Sequence, residues 1–289
     1  MAEQQIVVPI FPTVLQALRA VAANWRAAAV AGLLGAVLST LFSLLTVSVA
    51  PLAPIWNILA VAVSAYVYAA LTGAALHGQE GLSKRVAAEG GRVFGALAII
   101  GFFMFIVFVV VAIVDAFVIF AAAADYVPQL EAAGQDQAAA LAVMARFVHD
   151  KPGPVIAVGL VNVAIWYALT SRLFLAAPAS YDAGRILSFE TWRWTKGNLL
   201  RITAARLLLL PIFLLVFAAG LGLASLMGIS NALDSDAADQ AVRGAPAKFA
   251  ILSLIGDFLH FSLYLALEAA LSAQIYKVLR PQGRVSDSF

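Results

Sequence analysis

The sequence contains no cysteine and few charged side chains. Of its 289 residues, 12% are Asp, Glu, Lys or Arg, and three are histidines. Without cysteine the chain has no disulfide, no zinc–thiolate site and no thiol catalysis. The charges nearly balance, at a net charge of +2, whereas a nucleic-acid-binding protein carries a strongly basic surface. This composition argues against a soluble enzyme, a disordered protein and a nucleic-acid binder.

Hydrophobic residues make up 63% of the chain, and the mean hydropathy is +0.95. Soluble domains are about 45–50% apolar. A membrane-spanning helix needs roughly 20 apolar residues, and the chain has six such runs without the alternation of a β-barrel strand. We therefore expect an all-α membrane protein, a single domain over residues 1–289 with six transmembrane helices in three hairpins. The six segments are Ala27–Val49, Ile55–Leu76, Val93–Val114, Val155–Leu175, Ala204–Ile229 and Phe249–Tyr276.

The distribution of Lys and Arg predicts the orientation of the six helices. With both termini on the cytoplasmic side, 14 of the 18 basic residues lie on that side and 4 lie outside. Cytoplasmic loops carry an excess of Lys and Arg, so this split predicts cytoplasmic N- and C-termini. Trp25, Trp192 and Trp194 then lie at the inner edge of the membrane and Trp56 at the outer edge, where tryptophan is enriched.

A polar–apolar stretch ending in a basic residue precedes the first, third and fifth segments. In the first stretch, Val14, Leu18, Val21 and Trp25 recur at helical spacing. This pattern predicts amphipathic helices in the cytoplasmic headgroup layer and three repeat units, of about residues 11–76, 80–178 and 185–280. The alternative is that the positive-inside rule alone places Arg before each inward-starting helix. The three stretches are Phe11–Arg26, Gly81–Arg92 and Ile186–Arg201.

The end of the fourth segment and the lead-in to the fifth share a pattern with a known family. Residues 171–178 read SRLFLAAP, and residues 191–202 read TWRWTKGNLLRI. This resembles the membrane domain attached to some bacterial glycerophosphoryl diester phosphodiesterases, and its stand-alone relatives of unknown function. In that family an Arg and a Pro precede a Ser-Trp-x-Leu-Thr-x-Gly-x-x-x-Arg segment; here Thr191 and Trp194 replace its Ser and Leu. The resemblance implies a six-helix bacterial inner-membrane protein, and it does not imply phosphodiesterase activity.

The sixth segment carries a polar face. Asp257, His260, Tyr264 and Glu268 follow one another at helical spacing. Ionisable groups inside a membrane are costly and by default indicate function, so one interpretation is a water-filled cavity or a proton relay at Asp257. The other is a packed face in which Asp257 contacts His260 or a polar group on the second or fourth helix. We also expect an ion pair between Glu268 and Arg172.

Basic and tryptophan residues gather at the cytoplasmic edge of the predicted bundle. Near an anionic leaflet each Lys or Arg adds about 1 kcal/mol of attraction, so we interpret these residues as contacts to lipid headgroups. The alternative is ordinary topology anchoring. The residues are Trp25, Arg26, Arg92, Arg172, Trp192, Arg193, Trp194, Lys196 and Arg201.

Two functions follow as hypotheses from these features. The first is a non-enzymatic inner-membrane protein that engages anionic lipids or assists envelope maintenance, with grooves open sideways to lipid near Arg193 and Arg201. The second is a small secondary transporter or proton-coupled channel, with a polar cavity that reaches Asp257. We find no enzyme, metal or cofactor motif. Small residues at four-residue spacing, as at Ala28 and Gly32, favour close packing inside the bundle or homodimerisation.

Overall fold

A computed structural model describes residues 6–78, 86–228 and 244–280 of the chain. These residues are almost entirely helical, and none of them forms a strand. The chain divides into two compact units. Unit 1 comprises Met1–Ile99 together with Ser171–Phe289, and unit 2 comprises Ile100–Thr170.

Six stretches of the described chain are long and apolar enough to cross a membrane, and each overlaps one predicted segment. The prediction of an all-α membrane protein is therefore confirmed. The short helices outside these stretches are α1 (Ile10–Ala23), α5 (Val127–Ala133), α6 (Gln137–Asp150) and α9 (Thr191–Trp194). The six stretches are α2 (Trp25–Ser48), α3 (Ala53–His77), α4 (Val86–Ala122), α7 (Pro152–Arg172) with α8 (Ala176–Ala183), α10 (Leu199–Leu207) with α11 (Leu210–Leu226), and α12 (Pro246–Leu259) with a π-helical segment (His260–Leu265) and α13 (Ala266–Leu279).

Helix α1 is the helix predicted ahead of the first membrane helix, and it packs against α13 and α10. Ala17 is fully buried in this contact. Of the four residues predicted to share one apolar face, Val14 and Val21 pack on the core, whereas Leu18 and Trp25 are exposed. The apolar residues of α1 therefore divide between a side that faces the core and a side that is exposed.

The predicted amphipathic helix over Ile186–Arg201 is wrong. This stretch contains one helical turn, α9, and a left-handed glycine, Gly197 (φ +79°), before α10 begins. The hydroxyls of Thr191 and Thr195 are buried and donate to main-chain carbonyls of the same stretch. Threonine side chains that bond locally to the main chain compete with helix formation, so a compact loop forms instead.

Asn198 joins this loop to the start of the described chain. Its side-chain amide donates to the carbonyl of Ile6 at 2.8 Å, and its Oδ1 accepts from the amide of Val8 at 2.9 Å. Arg201 adds a hydrogen bond from its guanidinium to the carbonyl of Val8, at 3.3 Å. Because Asn198 and Val8 are both buried, these bonds hold the segment ahead of α1 on the bundle.

The lead-in to the third membrane helix also differs from the expectation. Helix α4 runs without a break from Val86, so Gly90 and Gly91 are helical and form no corner. The ring of Tyr66 in α3 packs on Gly90, where a Cβ atom would collide with it. A missing side chain here allows two helices to approach closely. Residues 81–85 of this predicted lead-in lie outside the described residues.

The interior of unit 1 forms where α2, α3, α12 and α13 pack together. Ala28, Gly32 and Ala36 are buried along α2, so this small-residue ladder serves packing within the chain. A Cβ atom on Gly32 would lie 2.9 Å from the Cβ of Ser262. Gly32 therefore lets α2 approach the π-helical segment at this point.

The π-helical segment changes the winding of the sixth membrane helix in its middle. A π-helical turn bonds residue i to residue i+5 and contains more residues than an α-helical turn. Side chains after the turn are therefore rotated relative to a regular helix. As a result, Asp257 before the segment and Glu268 after it contact different neighbouring helices.

Unit 2 contains the second part of α4, the helices α5 and α6, and most of α7. At the start of α6, the Asp136 side chain accepts hydrogen bonds from two main-chain amides. Its buried residue is Phe147, and Leu141 is exposed. Tyr126 packs edge-on against Phe147 at 5.6 Å and donates to Asp150 at 2.8 Å.

Candidate functional site

An apolar groove runs along unit 1 between α2 and α3. Its volume is about 820 Å³, within the range of roughly 300–1,000 Å³ that is usual for ligand sites. Helix α2 lines it with one face, from Arg26 through Val30, Leu34 and Leu38 to Phe42. The opposite wall consists of α3 side chains together with Val86 of α4, and nearly all lining residues are apolar, so the groove is suited to hydrocarbon.

Arg26 is the basic residue at one end of this groove. Arg193 and Arg201, where the sequence places a lipid groove, are not in its wall, and neither is Asp257. The guanidinium of Arg26 lies 5.6 Å from the centre of the exposed Trp25 ring. Within the part of the chain that the structure describes, no carboxylate pairs with Arg26. Its charge is therefore available to an anion at this end of the groove.

Glu268 forms an ion pair with Arg206, and the expected pair with Arg172 is wrong. The distance between Glu268 Oε1 and Arg206 Nη2 is 3.3 Å, and both side chains are largely buried. Arg206 also donates to Ser171 at 3.2 Å, and its guanidinium lies 4.8 Å from the centre of the Phe174 ring. These contacts enclose Arg206 in the interior of unit 1.

A tyrosine and a serine extend this polar cluster. Tyr68 of α3 lies near Ser272 and Glu268. Ser272 is fully buried and donates to the carbonyl of Phe174 at 2.6 Å. The cluster therefore links α3, α10 and α13 through polar contacts, and sequence reasoning did not anticipate Tyr68.

Arg172 occupies a different environment. Its guanidinium lies 5.7 Å from the centre of the Trp192 ring, and its carbonyl accepts a hydrogen bond from Thr195 at 3.1 Å. Arg172 ends α7, whereas Arg206 lies in α10. The sequence indicates similar depths for both arginines, so it could not show which of them faces Glu268.

Asp257 is half-buried in α12 and lies near Ser39 of α2. The neighbour of Asp257 is therefore on the first membrane helix, whereas the prediction placed it at His260 or on the second or fourth helix. His260 lies beside the rings of Phe261 and Tyr264, at 5.5 and 5.6 Å. The polar face is thus a series of separate contacts along the helix.

A second cluster that the sequence did not reveal surrounds Asp182 of α8. Its carboxylate accepts a hydrogen bond from Tyr276 at 2.9 Å and lies 3.4 Å from His77 Nε2 and 3.7 Å from Arg280. The cluster connects the ends of α3, α8 and α13. Sequence spacing could not indicate the cluster, because the partners of Asp182 lie about one hundred residues away in the chain.

The predicted headgroup residues of unit 1 differ in their exposure. Arg92 pairs with the buried Glu89 at 2.6 Å, and the Trp194 ring lies 6.2 Å from Tyr276. Trp192 is likewise partly buried. Arg92, Trp192 and Trp194 therefore use part of their surface for contacts within the chain. Lipid contact remains a prediction for all of them. The exposed members of the set are Trp25, Arg26, Arg193, Lys196 and Arg201.

Comparison of the chain with protein-family models, with curated proteins and with solved structures gave no match. The six apolar helices define a class of protein, the multi-pass all-α membrane proteins. Within this class, the groove beside Arg26 and the polar clusters at Glu268 and Asp182 are the features from which a function can be argued.

Proposed function

We propose that this protein is a non-enzymatic inner-membrane protein that engages anionic lipids of the cytoplasmic leaflet. The observation that carries this proposal is the exposed side of α1, the short helix docked on the bundle ahead of the first membrane helix. Membrane lipids are its proposed partners, and maintenance of the envelope membrane is its proposed role.

The exposed side of α1 is a continuous apolar stripe. Phe11 is 73% exposed, Leu15 47% and Leu18 39%, and Trp25, the first residue of α2, is 60% exposed. The opposite side of α1 packs on the core, so the stripe points away from the protein. An apolar stripe on a helix outside the membrane spans is stabilised when it enters the boundary between lipid headgroups and acyl chains.

Two exposed arginines lie next to this stripe. Arg19 is in the last half of α1, and Arg26 is in the first turn of α2. Long basic side chains can keep their charge at the headgroup layer while their stems cover apolar surface. Each adds about 1 kcal/mol of attraction to an anionic leaflet, which supports an anionic rather than a neutral lipid partner.

The sequence supports two parts of this proposal, the cytoplasmic leaflet and the bacterial inner membrane. The excess of Lys and Arg on the side of α1 favours the cytoplasmic leaflet. The resemblance of residues 171–178 and 191–202 to the membrane domain of bacterial glycerophosphoryl diester phosphodiesterases favours a bacterial inner membrane. Both are part of what we propose.

Spin labels on α1 test the proposal directly. The chain has no cysteine, so each single-cysteine variant carries one label at a known position. We expect labels at Leu15→Cys and Leu18→Cys to be accessible to oxygen, which dissolves in lipid, and protected from a water-soluble nickel complex. The matched label at Gln16→Cys, on another exposed side of the same helix, should show the reverse.

The lipid composition of the vesicles tests the anionic preference. We expect the Leu15 label to lie deeper in phosphatidylglycerol vesicles than in phosphatidylcholine vesicles, and Arg19→Gln to reduce that difference. Equal access of the nickel complex to the Leu15 and Gln16 labels in both vesicles would contradict the proposal, because α1 would then lie in water.

A further inference from the structure

The groove between α2 and α3 leads to a more specific inference, which rests on the proposed function. We propose that this groove binds one anionic phospholipid, with an acyl chain along α2 and the phosphate on Arg26. The inference depends on three observations: the length of the groove, its apolar lining and the position of the Arg26 guanidinium at its end.

The groove is long enough to hold an acyl chain that enters from one leaflet. The lining residues of α2 extend from Arg26 to Phe42, and 16 residues of α-helix span roughly 24 Å. The hydrocarbon core of a bilayer is about 30 Å thick. The groove is therefore longer than the half of the bilayer that one acyl chain occupies, and the chain fits without reaching its far end.

Phe42 defines the far end of the groove. Its ring stacks on Trp56, the tryptophan near the start of α3, with 6.1 Å between ring centres and 13° between ring planes. Between Phe42 and Arg26 the walls consist of aliphatic and alanine side chains, with Tyr66 the one residue that carries a polar group. This lining stabilises hydrocarbon and offers no site for a polar solute.

Gly35 of α2 and Val67 of α3 both line the groove and bring its two walls close together. A Cβ atom on Gly35 would lie 2.7 Å from Val67 and 3.1 Å from Phe261. Because Gly35 has no side chain, α2 and α3 can approach closely here. The larger side chains that line the groove on either side of Gly35, such as Leu34 and Leu38, form its apolar walls.

The charge at the groove selects the headgroup. Arg26 follows Trp25 directly in the first turn of α2, and the cation–π contact with Trp25 orients its guanidinium. A guanidinium matches the geometry of a phosphate and can form two hydrogen bonds with it. Phosphatidylglycerol offers this phosphate on a lipid with net negative charge, whereas phosphatidylcholine adds a positive charge next to it. The structure thus favours the anionic lipid.

Native mass spectrometry of the full chain in detergent tests this inference, with phosphatidylglycerol and phosphatidylcholine as probe lipids. We expect one retained phosphatidylglycerol per chain, bound about tenfold more tightly than phosphatidylcholine. The reason is that two charge-assisted hydrogen bonds between Arg26 and the phosphate contribute to the binding. Arg26→Gln should abolish this preference. Arg146→Gln removes one positive charge in unit 2 and should leave it unchanged.

A matched pair of tryptophan variants tests the position of the acyl chain. Val30 lines the groove and Val37 does not, although both are exposed valines on α2. Val30→Trp should fill the groove and reduce retention of either lipid about tenfold, whereas Val37→Trp should retain lipid as the parent chain does. Equal retention by the two variants, or a preference that survives Arg26→Gln, would overturn the inference.

The spin-label depths separate failure of this inference from failure of the proposed function. If α1 lies at headgroup depth but no lipid is retained in the groove, the inference is wrong and the proposed function stands. If α1 lies in water, the proposed function is wrong whatever the mass spectra show. A bound apolar helix of another protein would appear as a protein mass in the same spectra and would also overturn the inference.

Discussion

At the scale of single residues, the ion pair between Glu268 and Arg206 is the interaction most sensitive to substitution. Each partner is largely buried, so each needs the other to offset the cost of leaving water. The additional bond from Arg206 to Ser171 does not replace a negative charge. Removing the carboxylate therefore leaves an enclosed cation.

We predict that Glu268→Gln lowers the free energy of unfolding by about 3 kcal/mol, as is typical when one partner of a buried pair is removed. Thermal unfolding in detergent measures the change. The double variant with Arg206→Gln should recover most of the loss, because no unpaired charge remains. Glu131→Gln, an exposed carboxylate in α5, is the control. Loss of equal size in the single and double variants would contradict this explanation.

A second residue-scale prediction concerns an exposed pair in unit 2. The carboxylate of Asp125 lies 2.6 Å from Lys151 Nζ, and this hydrogen bond holds the pKa of Asp125 below its ordinary value. The same contact raises the pKa of Lys151. A lowered carboxyl pKa gives stabilisation that is present above the unfolded-state pKa and lost as pH falls through the folded-state pKa.

We therefore expect the NMR titration of the Asp125 carboxyl group to have its midpoint below the ordinary value for aspartate. On the alkaline side, the raised pKa of Lys151 means that the pair is lost only as pH rises through that pKa. Lys151→Gln should move the Asp125 midpoint upward. An unchanged midpoint in this variant would show that the pair does not form in solution.

At the scale of helices, the approach of α2 to the π-helical segment depends on Gly32. We predict that Gly32→Ala costs about 2 kcal/mol, because its Cβ would lie 2.9 Å from Ser262 Cβ and 3.1 Å from its amide nitrogen. The matched control is Gly222→Ala in α11, where no atom lies within 4 Å of the added Cβ.

The control should be neutral or slightly stabilising, because alanine favours a helix over glycine. Chemical unfolding of both variants measures the difference. Equal stability of Gly32→Ala and Gly222→Ala would show that α2 and the π-helical segment do not pack this closely.

Helix existence and helix shape were predictable to different degrees. All six membrane helices follow from runs of apolar residues, because a helix satisfies its own backbone in lipid. The loop over Ile186–Arg201 was mistaken for a helix because its helical spacing of apolar residues resembles that of α1. The side chains of Thr191 and Thr195 form hydrogen bonds with the main chain that stabilise a loop. The spacing of apolar residues does not predict these bonds.

At the scale of the whole molecule, the prediction of six membrane crossings implies that the two termini lie on the same side. We predict that a reporter fused after Phe289 and a reporter inserted within residues 234–239 report opposite sides of the membrane, with Phe289 in the cytoplasm. Both positions lie outside the described residues. A result with both reporters on one side would contradict the six-helix topology.

The sequence predicted a groove that contacts lipid, but it did not predict where the groove lies. Basic and tryptophan residues at one end of the helices indicated lipid contact, and Arg26 was among them. The sequence pointed to Arg193 and Arg201 as the place of the groove, because their stretch combines basic residues with two tryptophans. The groove instead follows from the packing of α2 against α3, which depends on Gly35 and on side chains distant in sequence.

The sequence by itself determined that this is a membrane protein with six helices, because the requirement for apolar length is local to each segment. It also determined which residues are costly to bury, including Asp257 and Glu268. Only the tertiary structure decided their surroundings, with Asp257 near Ser39 and Glu268 paired with Arg206. Partner choice depends on how helices rotate and where a π-helical turn shifts their faces, and these are set by packing between segments far apart in the chain.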